Sequence, residues 1–174
     1  MAIKILASAA SRAAQVVVDP WVPLSVVWDV EPEVSPLYLF VRDPDHGYVE
    51  LKVHPESGAL VGMVVIDSPL PDESARLLGG ATAPKGSETA VLDLQLWPWK
   101  ETPDYREPVR RDIDVLCPLS VTTSADQMTI WFSDRPVARI LKAGPVEVGV
   151  SAEDELVAIM ASEPAIVAEP GGGR

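Results

Sequence analysis

The chain is 174 residues long, one domain's length, and a chain of that size buries roughly two-thirds of the surface it exposes when unfolded. Its 26 acidic against 14 basic residues give a net charge of −12 and a pI near 4.5. This charge opposes binding to a nucleic-acid backbone and favours a basic protein partner. A single cysteine, Cys117, excludes an internal disulfide; between Leu116 and Pro118 it reads as a small buried apolar residue.

Residues 1–15 hold one lysine, a short apolar run at 5–10 and then Arg12, too short and interrupted for a secretory signal. The longest later apolar run, 59–66, falls far below the ~18 residues of a membrane span. The expectation is a soluble cytoplasmic protein with no membrane or nucleic-acid partner. Seventeen prolines disfavour long helices and suit short strands joined by loops. Residues 16–18, 25–30, 37–42, 48–54 and 59–66 are the first predicted strands. A two-turn helix is predicted over 72–78, with Asp72 and Glu73 at its start and Gly79-Gly80 as its stop. Further strands are predicted at 91–97 and 113–123, the latter broken at Pro118, around a long polar loop at 98–111. Residues 163–174, ending Pro-Gly-Gly-Gly-Arg, read as a flexible tail.

Residues 128–160 are the most patterned stretch. Met128, Ile130 and Phe132 alternate with Thr129, Trp131 and Ser133, the period of a strand buried on one face. Turn residues at 134–136 and 143–145 separate this strand from 137–141 and from the alternating Val146, Val148 and Val150. A polar group at 152–155 precedes the apolar residues 156–160. Four antiparallel strands are predicted, although Ser151 followed by Glu153 and Asp154 also resembles a helix cap. An earlier stretch favours the turn: residues 37–43 match 128–134 in apolar pattern, and V-H-P-E-S-G-A-L-V-G-M from Val53 matches V-S-A-E-D-E-L-V-A-I from Val150 with one residue deleted. An internal duplication explains the match; so does a chance likeness of two amphipathic hairpins.

The runs S-D-R-P-V-A-R from Ser133 and G-P-V-E-V-G-V-S-A-E-D-E-L-V-A-I from Gly144 resemble a short, widespread bacterial β-domain family of unknown function. Its members read approximately as a strand, S-D-x-P-V-A, a G-V-x-V-D-x-D turn and G-x-L-V-G-I-E. The resemblance covers residues 128–160. Here the acidic turn reads Ser151-Ala152-Glu153-Asp154, and Glu155 stands where the family has glycine. The family implies a β-fold and carries no activity. The fold expected is therefore one β-rich domain over residues 1–162, an antiparallel meander forming a sandwich or curled sheet with one short helix.

Strand faces indicate where such a protein would act. If 43–47 is a hairpin loop, Arg42 lies beside Tyr48, Phe40 beside Glu50 and Tyr38 beside Lys52. Leu39, Val41, Val49 and Val53 then share the apolar face, and the opposite face mixes aromatic rings with charges. Trp131, beside Gln127 and Thr129, and Trp97, beside Asp93 and Gln95, follow the same rule. A face of this composition suits recognition; alternatively, another layer covers it and its aromatics form a second core.

Catalytic signatures are scarce. His46 and His54 have no metal-ligand spacing, and Asp43, Asp45, His46 and Glu50 read as turn chemistry before a metal site. The serines lack a nucleophile elbow, and no glycine-rich phosphate loop appears. Arg106, Arg110 and Arg111 are interleaved with acids and read as a solvated loop. These features predict a non-enzymatic, cofactor-free binding protein, most concretely an immunity-type or antitoxin-like inhibitor of a basic protein. Tyr38, Phe40, Arg42, Tyr48, Glu50, Lys52 and Trp131 are its candidate contact residues. A second reading is a small-ligand or carbohydrate binder stacking its ligand on Trp97, Trp99 and Trp131. A third is a subunit of a larger or homo-oligomeric assembly joined through strand edges.

Overall fold

A computed structural model describes residues 2–18, 21–29, 34–74, 76, 78, 86–96, 99–102, 110–162 and 165–166; of Val18, Leu96, Thr102, Arg110, Ala165 and Ile166 it describes the backbone alone. The chain is β-rich, as its alternating pattern predicts. Fifteen strands are formed among the described residues. They are β1 (Ile5–Ala10), β2 (Gln15–Val18), β3 (Leu24–Val27), β4 (Leu37–Arg42), β5 (Tyr48–Val53), β6 (Leu60–Asp67), β7 (Glu88–Leu92) and β8 (Lys100–Thr102). There follow β9 (Arg110–Leu116), β10 (Ser120–Thr123), β11 (Gln127–Trp131), β12 (Arg139–Ala143), β13 (Val146–Val150), β14 (Leu156–Ser162) and β15 (Ala165–Ile166).

The strands form an eight-stranded sheet in the order β15-β2-β3-β6-β5-β4-β9-β8, a five-stranded sheet in the order β10-β11-β14-β13-β12, and a β1-β7 ribbon. Period-two alternation gives each large sheet one apolar face. Val26, Met63, Leu51, Leu39 and Ile113 from the larger sheet join Val121, Ile130, Ile159, Val148 and Leu141 from the smaller in one contiguous buried cluster. Each fully buried side chain of this kind contributes about 1.5–3 kcal/mol, so the layer between the sheets holds them together. Ile3, Ile5, Ala90 and Leu92 add the ribbon to the same cluster. No helix among the described residues is long and apolar enough to cross a membrane.

The predicted strands at 37–42, 48–54 and 59–66, and the four C-terminal ones, all form. Residues 151–155 make a turn, not a helix: Ser151 N–H donates to the Glu155 carbonyl at 2.9 Å, and its hydroxyl accepts from Glu153 and Glu155 N–H, both at 3.2 Å. His54 does the same between β5 and β6, its Nδ1 accepting from Glu56 N–H at 3.3 Å and Ser57 N–H at 3.2 Å. Each turn then passes through the left-handed region, at Gly58 (φ 74°) and Asp154 (φ 58°). The likeness of the two stretches thus extends to turn chemistry, but it ends at the strand added to each hairpin. β4 pairs with β5, whereas its counterpart β11 pairs with β14.

Four expectations are corrected. The helix predicted at 72–78 is absent among the described residues there: Pro71 bridges Val121, Asp72 N–H donates to the Val121 carbonyl at 2.8 Å, and a turn follows. The Asp72 carboxylate takes the Ser74 N–H and hydroxyl, the local side-chain competition that draws Asp out of helices. Among the described residues the one helical element is a 3-10 turn at Leu94–Leu96, where Asp93 accepts from Gln95 N–H at 3.0 Å, so the strand predicted at 91–97 ends at Leu92. Within the expected loop at 98–111, β8 and the start of β9 pair with each other; residues 103–109 lie outside the described set. The meander is incomplete, because β9 runs parallel to β4 and β15 parallel to β2. Residues 5–10, to which the sequence assigns no element, form strand β1 against β7. Most of the expected tail, residues 163–164 and 167–174, lies outside the described residues.

Gly58 is the most constrained turn position. A Cβ there would lie 2.6 Å from the Leu92 carbonyl oxygen, in a backbone conformation that L-residues resist, while the Gly58 carbonyl accepts the Leu92 N–H at 2.8 Å. Gly58→Ala should therefore lower stability by about 2 kcal/mol or more. Gly86→Ala, whose Cβ would meet nothing within 4 Å, should change it by less than about 0.5 kcal/mol. Urea unfolding of the two variants checks both values.

Candidate functional site

The larger sheet turns its second face away from the shared core, and the predicted register places the aromatic and charged residues there. Tyr38 pairs with Lys52, Phe40 with Glu50 and Arg42 with Tyr48. The register is set at the hairpin by Asp43, whose carboxylate accepts from Asp45 N–H at 2.8 Å, His46 N–H at 2.9 Å and Leu119 N–H at 2.7 Å. Gly47 closes the loop at φ 129°. Among the described residues no three His, Cys, Asp or Glu side chains gather as metal ligands do, and Asp43 is engaged as a turn residue.

Along this face the rings touch in sequence. Tyr38 stacks on Phe40 at 6.2 Å between centroids, and Phe40 meets Tyr48 at 5.7 Å with a tilt of 51°. The Arg42 guanidinium lies 4.1 Å from the Tyr48 centroid, and its Nε donates to Asp114 at 3.1 Å on the parallel neighbour β9. Lys52 approaches Glu50 at 3.4 Å and Tyr38 at 6.0 Å. These half-exposed ion pairs add about 0–1 kcal/mol each; their larger effect is to fix cations against rings. Val27 (53% exposed), Ile66 (44%) and Leu116 (65%) share this face through the registers of β3, β6 and β9. It therefore presents aliphatic side chains to solvent around a central aromatic row.

Phe40 departs from a simple contact role. It is only 7% exposed, covered in part by the two tyrosines, yet it belongs to neither buried apolar cluster. It is the support on which the half-buried rings of Tyr38 and Tyr48 rest.

Trp131 is not brought to this face. It lies in β11 of the smaller sheet, 3% exposed, in a separate cluster with Val157 and Ala158, covered by Leu78 and Val137. Its Nε1 donates to Thr122 Oγ1 at 3.0 Å, and the Arg76 guanidinium sits 4.5 Å over its ring. Small neighbours make room for this cover: a Cβ on Gly149 would come within 2.7 Å of Leu78. Here the alternative of a second core is what the fold adopts. The alternation correctly removes Trp131 from the central core, but the cover is supplied by Arg76 and Leu78, a pairing invisible in local sequence. Trp99 is also structural, donating from Nε1 to the Leu94 carbonyl at 3.1 Å and packing on the main core. Trp97 lies outside the described residues.

Asp72 fastens that cover. It binds Arg76 and Ser74, and these hydrogen bonds, Ser74's foremost, hold its carboxyl far below the usual carboxylate range. At Asp43, burial pushes the carboxyl upward, but its backbone hydrogen bonds outweigh that and leave it lowered.

Two outcomes follow for these groups. Phe40→Ala should cost about 2–4 kcal/mol, with Leu39→Ala on the core face at the upper end of that range, as chemical denaturation would measure. A depressed folded pKa stabilises above the unfolded value, near 3.8 for Asp72, and its contribution is lost as pH falls toward the folded value. The stability difference between wild type and Asp72→Asn should therefore be constant above about pH 5 and shrink toward pH 2, read from thermal melts across that interval.

No protein-family model matches this chain, and no curated protein matches it either, so the face must be judged by its own chemistry.

Proposed function

We propose that this chain is a non-enzymatic binding protein that docks a basic protein partner on the outer face of its larger sheet, in the manner of an immunity-type or antitoxin-like inhibitor. The observation that carries this reading is the aromatic row Tyr38-Phe40-Tyr48 set among ion pairs and the exposed Val27, Ile66 and Leu116. Aromatic rings and arginine supply most of the energy at protein interfaces, and an aliphatic surround excludes water from them. The ion pairs on the face largely neutralise one another. Attraction of a basic partner therefore comes from the field of the whole chain, with its net charge of −12, which speeds encounter more than it tightens the complex. An extended strand scaffold of this kind holds its contact groups rigidly, which limits the ordering cost of binding.

The test uses matched baits, wild type and the double variant Tyr38→Ala/Tyr48→Ala, checked for equal melting behaviour. A protein of high pI should be enriched on wild type alone. Its Kd should weaken by about 10–100-fold on the double variant and rise with salt. Equal enrichment on both baits, or a captured partner that is acidic, would overturn the reading.

A further inference from the structure

A cavity of about 450 Å³ lies at one end of the smaller sheet, bounded by residues 117–120, by residues 131–135 and by Glu155 on the turn between β13 and β14. Its volume lies within the range of small-molecule sites, and it is separate from the aromatic row of the larger sheet. Two features of its lining restrict what it could hold.

The first is the state of Arg76. Its Nε donates to Asp72 at 2.6 Å, Nη1 to the Ser133 carbonyl at 3.0 Å, and Nη2 both to Asp72 and to Ser120 Oγ at 2.9 Å. Four of its five N–H groups are committed in the guanidinium plane. One face of that plane covers Trp131; what Arg76 has left to offer the cavity is its other face. The second feature is the matched charge at the rim. Glu155 is held by Lys4 at 2.9 Å and by Arg135 Nε at 2.6 Å, and Arg135 also reaches Glu153 at 3.1 Å. An anionic ligand would meet the further carboxylate of Asp134 in the lining, where these cations are already paired. A cationic one would stack against the guanidinium charge, so an uncharged ligand is favoured.

We propose that this cavity binds a small, uncharged, planar heteroaromatic molecule that stacks on the Arg76 face opposite Trp131. The indole, the guanidinium and the ligand ring form a three-layer stack, with the side chain of Ser133 at hand for a polar ring edge. The site is prepared before the ligand arrives. Trp131 is fixed through Thr122 and Arg76 through Asp72, so binding orders little that is not already ordered.

The single cysteine reports on this cavity, since Cys117 lines it and its thiol donates to the Phe132 carbonyl at 2.9 Å. Burial raises the thiol's pKa, so labelling with N-ethylmaleimide is followed under mildly alkaline conditions. Indole, quinoline and adenine are the probes; cyclohexanol and glucose are the non-planar controls. At least one planar probe should slow labelling of Cys117 in the whole chain and shift the backbone amides of Cys117, Leu119, Ser120 and residues 131–135, while both controls do neither. Arg76→Lys retains the charge and loses the planar face, and should weaken that probe about tenfold. The proposal is overturned if no planar probe binds at millimolar concentration, if cyclohexanol binds as well as indole, or if shifts fall elsewhere. Undiminished binding by Arg76→Lys overturns it as well. Should Arg76→Lys fail to fold, the wild-type comparison of planar and non-planar probes decides alone.

Discussion

The apolar layer shared by the two large sheets constrains everything else, because each strand that contributes to it must commit alternate residues inward. Leu39, Leu51 and Met63 meet the same cluster as Ile130, Val148 and Ile159, and no strand can slip by one residue without turning that set outward. Once the inner set is fixed, so is the outer one. Tyr38, Phe40 and Arg42 face away from the core because Leu37, Leu39 and Val41 cannot. The candidate contact face is thus a consequence of core packing, and its geometry inherits the rigidity of the core.

Register is enforced locally by side chains that stand in for backbone. Asp43, His54 and Ser151 each accept N–H groups from the turn they open, and Gly58 and Asp154 supply the left-handed residue that closes two of those turns. The β5-β6 and β13-β14 hairpins reach the same solution with an imidazole in one case and a hydroxyl in the other. What differs is the strand added to each hairpin, and that difference sends the two stretches into different sheets. The start of the chain locks the second turn in place, with Ile5 N–H donating to the Asp154 carbonyl and Leu156 N–H to Ile3, each at 2.8 Å.

The sequence is most informative where partners are close along the chain. The D-P-D-H-G loop fixes the β4-β5 register residue by residue, and the alternation of Val146, Val148 and Val150 locates β13 without error. It is least informative where partners are distant. Nothing local announces that residues 110–116 run parallel to β4, that residues 5–10 pair with β7, or that Arg76 reaches Trp131. The misreading at 72–78 has the same root: Asp72 and Glu73 look like the start of a helix until Val121 claims the backbone of Asp72. For the candidate site, the aromatic-charged face of β4 and β5 was legible from alternation alone. The supporting role of Phe40 and the burial of Trp131 depended on neighbours that only the fold supplies.

A contact face differs from a second core in one physical respect, access to solvent, and the aliphatic side chains of the larger sheet report on it directly. Methyl-labelled protein exposed to a soluble paramagnetic agent compares both faces of the same strands in one experiment. The account predicts strong relaxation of the Val27, Ile66 and Leu116 methyls and almost none for their inward neighbours Val26, Val65 and Val115. If Ile66 and Leu116 were as protected as Val65 and Val115, the outer face would be a covered structural layer, and the reading of it as a binding surface would be wrong.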